Sequence, residues 1–203
     1  ELALAEPLTV GFHAVSRGRV TAEDCVAVMG CGIVGLGAVA SAVNRNATVI
    51  AIDLDDSKLE IAREIGVAHT INPSNVDLHE TLQALTNGDG PDVIIEAVGS
   101  PMTYRSTVEE VAFLGRVVCI GYAKAAVEFN TSLFVQKEIE ILGSRNCVGK
   151  VDFPEVISYL EAGKFPVDAV ISKVISIDEA PETLKSWSEN PQGIIKIMID
   201  FDR

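Results

Sequence analysis

A short apolar run, Cys25-Val26-Ala27-Val28-Met29, opens directly onto three closely spaced glycines in Gly30-Cys31-Gly32-Ile33-Val34-Gly35. From Gly32 to about Asn44 the residues are small and apolar. The run reads as a buried strand, and the stretch after it as a helix able to lie close on a sheet. Gly30 permits a tight turn between the two, and Gly35 lets helix and strand touch. A strand, a glycine turn and a close-packed helix in that order constrain the fold strongly, because parallel sheets are built from such units.

The alternation continues along the chain. Residues 48–52 read as a second strand that ends at Asp53. A helix is expected over 56–65, with Leu59, Ala62 and Ile65 on one face and Gly66 as its stop. Further strands are expected at 69–71, 92–96, 116–120 and 138–142, and helices at about 77–85 and 102–114. Several of these strands are apolar throughout, which argues a parallel sheet covered on both faces. The ends differ. Residues 6–17 read as a helix with Pro7 at its first position. Beyond Gly149 come helices near 153–161 and 181–188 and strands near 171–177 and 194–201, which either extend the sheet or belong to a second domain.

Aromatic residues are only 5% of the 203, so the core must be built from Val, Ile, Leu and Ala. The formal net charge of −13 repels phosphate backbones and anionic lipid, which argues against nucleic acid as a partner. No apolar run reaches the ~18 residues of a membrane span, and no secretory signal opens the chain. The four cysteines, Cys25, Cys31, Cys119 and Cys147, show no CxxC pair, and His13, His69 and His79 show no metal-ligand spacing. A reduced cytoplasmic protein is the plain expectation.

Asp53 gives the glycine turn a chemical meaning. It stands eighteen residues past Gly35, at the end of the second expected strand. This is the context of a dinucleotide site. There Gly32 lets the backbone approach the pyrophosphate, the helix start at Ile33-Val34 faces its charge, and the acid accepts the adenosine ribose hydroxyls. A carboxylate at that point repels a 2′-phosphate, so NAD is expected over NADP. Lys58 has two readings, a neighbour of the same ribose or a solvated helix charge. In such sheets ligands bind beyond the carboxyl ends of strands, which brings in Ala97-Val98-Gly99 and Gly121-Tyr122, although the glycines also serve as ordinary strand terminators. Asp55, Asp56, Asp89 and Asp92 read as caps and turn residues, and His13 as a packed side chain. Cys31 has no basic partner nearby in sequence to make it a reactive thiol.

In the order and spacing of several segments the chain resembles the carboxyl-terminal part of medium-chain, zinc-dependent alcohol dehydrogenases, nearest the sorbitol and threonine dehydrogenase branch. The resemblance runs from Glu6-Pro7-Leu8-Thr9-Val10-Gly11 through the glycine turn, Ile52-Asp53 and Lys58-Leu59. It continues through Ile95-Glu96-Ala97-Val98-Gly99, Gly115-Arg116-Val117-Val118, Leu142-Gly143-Ser144-Arg145 and Ile194-Ile195-Lys196-Ile197. It implies an α/β fold, a doubly wound parallel sheet of the Rossmann type with remnants of a second, catalytic domain at both ends. Residues 1–20 would be a lead-in helix from that domain, 21–145 the dinucleotide-binding domain, and 146–203 a segment returning toward the catalytic domain.

The resemblance also implies roles. Glu6 would lie beside a catalytic zinc, Arg145 near nicotinamide and substrate, Asp53 and Lys58 at the adenosine ribose, and Gly99 and Gly121 on the nicotinamide side, while Val98 and Tyr122 are candidates from their place at the strand ends alone. Plainer readings stand beside two of these: Glu6 as a helix-start acid favoured by the dipole, and Arg145 as a surface charge. The family's zinc-binding Cys and Gly-His-Glu motif and its structural cysteine cluster do not occur in this sequence. With Glu1 as first residue, the chain is expected to be the NAD-binding portion of a longer enzyme that oxidises a secondary alcohol of a polyol or sugar acid. As it stands it should be inactive and should hold no zinc, and a homodimer or homotetramer is expected. A zinc-free quinone-reductase-like oxidoreductase, a methyltransferase and a non-catalytic nucleotide-binding module are the competing readings.

Overall fold

The computed structural model describes residues 2–202. After a 3-10 turn at Leu2–Leu4, the chain runs through α1 (Ala5–Arg17), β1 (Cys25–Met29), α2 (Ile33–Asn44), β2 (Thr48–Ile52), α3 (Asp56–Ile65) and β3 (His69–Ile71). Then follow α4 (Leu78–Leu85), β4 (Val93–Glu96), α5 (Pro101–Glu110), β5 (Arg116–Cys119), α6 (Ser132–Gln136) and β6 (Glu140–Gly143). The last part holds α7 (Gly149–Glu161), α8 (Val167–Val170), β7 (Ile171–Ser176), α9 (Ala180–Glu189) and β8 (Lys196–Asp200).

The first six strands form one parallel sheet in the order β3-β2-β1-β4-β5-β6. Successive strand residues feed opposite faces. Val26 and Val28 of β1, with Val49 and Ala51 of β2, enter a core shared with α1, α2, α3 and α7. Ala27, Met29, Ile50 and Ile52 enter a second core with Leu82 and Val111. Burial on both faces is why these strands are apolar at every position except the first of β2, the exposed Thr48. The strand order turns back between β1 and β4, which makes the sheet doubly wound.

α1 and the turn before it belong to the larger core through Leu4, Leu8 and Phe12, all fully buried. It lies backbone to backbone on α2: a Cβ on Gly11 would stand 2.3 Å from the Ala38 nitrogen and 2.4 Å from the Val34 oxygen. α7 closes on α1, with Phe12 edge-on to Tyr159 at 5.6 Å. His13 Nδ1 also lies 3.1 Å from the buried Asp152 carboxylate, so His13 links helices.

Several boundaries differ from the sequence-based expectation. α1 starts at Ala5, which makes Pro7 its third residue, a position where the missing N–H is still not needed by the helix. α5 stops at Glu110 instead of running to Leu114. There Val111 turns extended into the second core, while the Lys137 ammonium donates to the Glu109 and Val111 carbonyls at 2.6 and 2.9 Å. β6 begins at Glu140, because Glu138 has φ +50°. The two carboxyl-terminal strands do not join the main sheet. β7 and β8 form a separate parallel pair, with Ile175, Ala180 and Ile197 as its small core. No helix among the described residues is long and apolar enough to cross a membrane.

Candidate functional site

The register of the sheet aligns its strand ends. Ile71 is opposite Ile52, Ile52 opposite Met29, Met29 opposite Glu96, Glu96 opposite Cys119, and Cys119 opposite Gly143. The segments that leave this row therefore share one edge of the sheet: the glycine turn, Asp53, 97–99, 120–122 and 144–145. That edge holds every sequence-derived candidate except Glu6 and Lys58.

At its centre Gly30 has φ +95°, a conformation that favours glycine, and Val98 packs over it. A Cβ on Gly35 would lie 1.7 Å from the Gly30 carbonyl oxygen, so only glycine lets α2 start this close to the turn. Gly32, the N-cap of α2, has the opposite environment: a Cβ there would meet nothing within 4 Å. The backbone is thus open to an approaching group where the first-turn N–H groups of Ile33, Val34 and Gly35 lack intrahelical acceptors. That arrangement suits a phosphate.

Asp53 Oδ2 accepts from the Cys31 amide at 2.7 Å, and Oδ1 from the Asp55 amide at 2.9 Å. The carboxylate is thereby fixed against the glycine turn, and each oxygen keeps capacity for a further donor. Asp55 caps α3 and also accepts from the Gly193 amide at 3.1 Å, tying the carboxyl-terminal segment to this corner. Hydrogen bonding from Ser57, above all, holds its carboxyl below the usual value. Lys58 is half-buried on the first turn of α3, near enough to favour the charged forms of Asp55 and Cys31. The Cys31 thiol is buried, and desolvation with the nearby Asp53 charge pushes it far from a reactive thiolate.

At the other end of the row lies a groove of about 450 Å³. Tyr104, Cys119, Gly121, Tyr122, Ser144 and Arg145 are among its walls. Gly121, Tyr122 and Arg145 thus stand together, as the sequence reading requires. Burial raises Tyr104 to about 12 and Cys119 to about 11, so both stay protonated at neutral pH. The Ser144 hydroxyl is buried in this wall and has no hydrogen-bond partner among the described residues. Gly99, φ +81°, presses against Tyr122: a Cβ would come within 2.7 Å of its carbonyl. Glu6 stands apart, exposed on the first turn of α1 and outside the groove walls.

Two features escaped the sequence reading. Glu96 is fully buried at the end of β4, where the only signal was a carboxylate closing an apolar strand. Tyr104 reaches the groove from α5, and its hydroxyl donates to the Gly121 carbonyl. The donor set for zinc does not fit within this chain. Among the described residues no group of three or more His, Cys, Asp or Glu is placed to hold a metal, and Glu6 alone cannot supply the three ligands a catalytic zinc requires.

The sequence profile described as zinc-binding dehydrogenase matches residues 34–162. An uncharacterized zinc-type alcohol dehydrogenase-like protein of Haemophilus influenzae is 32% identical over 99% of this chain and 58% of its own length. Erythritol/L-threitol dehydrogenase of Mycolicibacterium smegmatis is 35% identical over 95% of this chain and 53% of its own. Two solved structures carry nicotinamide cofactors. An alcohol dehydrogenase from Escherichia coli CFT073 complexed with NADH superposes at a TM-score of 0.85, with 26% identity over 98% of this chain and 58% of its own. A zinc-binding dehydrogenase of Sinorhizobium meliloti bound to NADP also superposes at 0.85, with 28% identity over 97% and 58%. This chain belongs to the zinc-binding dehydrogenase family. It spans a little over half the length of these relatives.

Proposed function

We propose that the chain is the NAD(H)-binding part of an alcohol or polyol dehydrogenase. The observation that carries this reading is the aligned edge of the sheet. A fixed Asp53 carboxylate after β2, open backbone at Gly32 after β1 and the Tyr122–Arg145 groove after β5 and β6 lie along it in the order that adenosine, pyrophosphate and nicotinamide would take.

On this reading Asp53 accepts the adenosine ribose hydroxyls with the lone pairs that its two backbone donors leave free, and Lys58 lies alongside. The first turn of α2, from Ile33 and Val34, receives the pyrophosphate. Val98, Gly99, Gly121 and Tyr122 form the walls for the nicotinamide, and Arg145 sits where substrate would enter. Bound nicotinamide supplies the hydride acceptor. The chain holds and orients it and covers one face against water. Of the two cofactors found in the solved relatives, NAD is favoured because a 2′-phosphate would meet the Asp53 charge.

Residues 1–20, 21–145 and 146–203 serve as lead-in helix, dinucleotide domain and returning segment, and the substrate is a secondary alcohol of a polyol or sugar acid. Zinc belongs to the complete enzyme, with Glu6 as at most a neighbour or a single ligand. Alone, the chain binds nucleotide without oxidising alcohol. Calorimetric titration of the chain with NAD and NADP tests the reading, and NADP binding as tightly as NAD would remove the cofactor assignment.

A further inference from the structure

The Glu96 carboxylate is buried with no Lys, Arg or His paired to it among the described residues. Burying an unpaired charge is costly, and the fold tolerates it only where donors surround it. Here the donors come from the 97–99 loop and the first turn of α5. Oε1 accepts from the Val98 amide at 3.1 Å, the Gly99 amide at 2.9 Å and the Thr103 hydroxyl at 2.7 Å. Oε2 accepts from the Gly99 amide at 3.2 Å. The backbone carbonyl of the same residue takes the Ile120 and Gly121 amides at 2.9 and 3.0 Å. Side chain and main chain of Glu96 therefore hold two different loops. The carboxylate lies directly behind Gly121, where a Cβ would stand 2.5 Å from Oε2.

We propose that Glu96 is a positioning residue that clamps the 97–99 and 120–122 loops together and so sets the width of the nicotinamide end of the groove. This rests on the dinucleotide reading above. The carboxylate fits the task better than an amide. Three donors converge on Oε1, and the Gly99 amide is shared with Oε2, so a carboxylate presents an acceptor on both sides of that N–H. A Gln at this place keeps one acceptor and turns an N–H₂ either toward the Gly99 amide and Gly121 or toward three donors. The turn at Gly99, already at φ +81°, then loses the charge-assisted bonds that hold it. The adenosine end is fixed separately by Asp53 and is untouched.

The test compares NADH with ADP-ribose, which lacks only the nicotinamide ring, by calorimetry on the wild-type chain and on Glu96→Gln. The expected result is a loss of about tenfold or more in NADH affinity, the scale of one charged hydrogen bond, with ADP-ribose binding within about twofold. Fluorescence of bound NADH should also lose the blue shift of an immobilised ring. Thr103→Val, which removes one donor, should move NADH affinity in the same direction by less, and Thr103→Ser should restore it. If Glu96→Gln does not fold, that threonine pair decides. An equal loss for both ligands, or no loss for either, overturns the proposal. Failure of the wild-type chain to bind either ligand overturns the dinucleotide reading instead.

Discussion

Gly11→Ala sets two physical effects against each other. In a helix interior Ala is favoured over Gly by about 1 kcal/mol, so propensity alone predicts a more stable protein. The packing predicts the reverse. A Cβ at Gly11 would stand 2.3 Å from the Ala38 nitrogen, where an ordinary contact is about 3.4 Å, so α1 must retreat from α2 by about 1 Å. Both sides of this contact are backbone, and no side chain can turn away. Leu8 and Phe12, fully buried on α1, move with it. A gap of that size forfeits roughly a quarter to a half of each lost dispersion contact.

Overpacking of this kind costs about 1–3 kcal/mol, and the rigidity of both partners places this case near the upper end. Subtracting the propensity gain leaves about 2 kcal/mol of net destabilisation. For a chain of 203 residues that lowers Tm by about 4–8 °C. Thermal unfolding followed by circular dichroism measures it. Gly149→Ala, at the start of α7 with nothing within 4 Å of the added Cβ, is the control and should leave Tm nearly unchanged. Because the contact falls on Val34 in the first turn of α2, the Gly11 variant should also bind nucleotide more weakly. A Tm equal to or above wild type would refute the packing argument.

Asp53→Asn should weaken NAD binding by about 1–3 kcal/mol and narrow the gap to NADP, read by calorimetry with both nucleotides; an unchanged preference would count against Asp53 as the ribose acceptor. His79 is raised above 6.5 by its hydrogen bond and charge contact with Glu110. Its contribution to stability is complete below that value and is lost as pH rises through the raised folded value, so Tm should fall across that window. His79→Gln should flatten this slope, and a variant that tracks wild type would contradict it. β6 is one edge of the sheet with most of its residues exposed, and an unpaired edge invites a second copy. Light scattering at micromolar concentration should give the mass of a dimer, and monomer at every concentration would exclude pairing there.

The main sheet was legible because two local signals agreed. The central strands, buried on both faces, are apolar along nearly their whole length, and the helices between them carry explicit ends. Asp55 and Asp77 cap α3 and α4 by accepting from Ser57 and Glu80 amides, and Gly66 ends α3 at φ +108°. Where a boundary is set from a distance, the reading slipped. α5 ends four residues short of Leu114 because Lys137, far along the chain, supplies the capping donors. Nothing between Met102 and Leu114 announces that. The fate of β7 and β8 was equally hidden, since their alternation fits either sheet and only packing decides.

The candidate site divides along the same line. Gly30, Gly32, Gly35 and Asp53 could be read from spacing because their chemistry lies in the backbone of one strand-turn-helix unit. Glu96 and Tyr104 could not, because what matters there is which loops the fold brings together. A carboxylate at the end of an apolar strand looks like the point where the strand meets water, yet Glu96 is fully buried. Its position follows from register: it shares the row of strand ends with Met29 and Cys119. That row feeds the loops on both sides of the point where the strand order reverses. A charge placed there, too deep to touch the ligand, can still decide the shape of the wall that does.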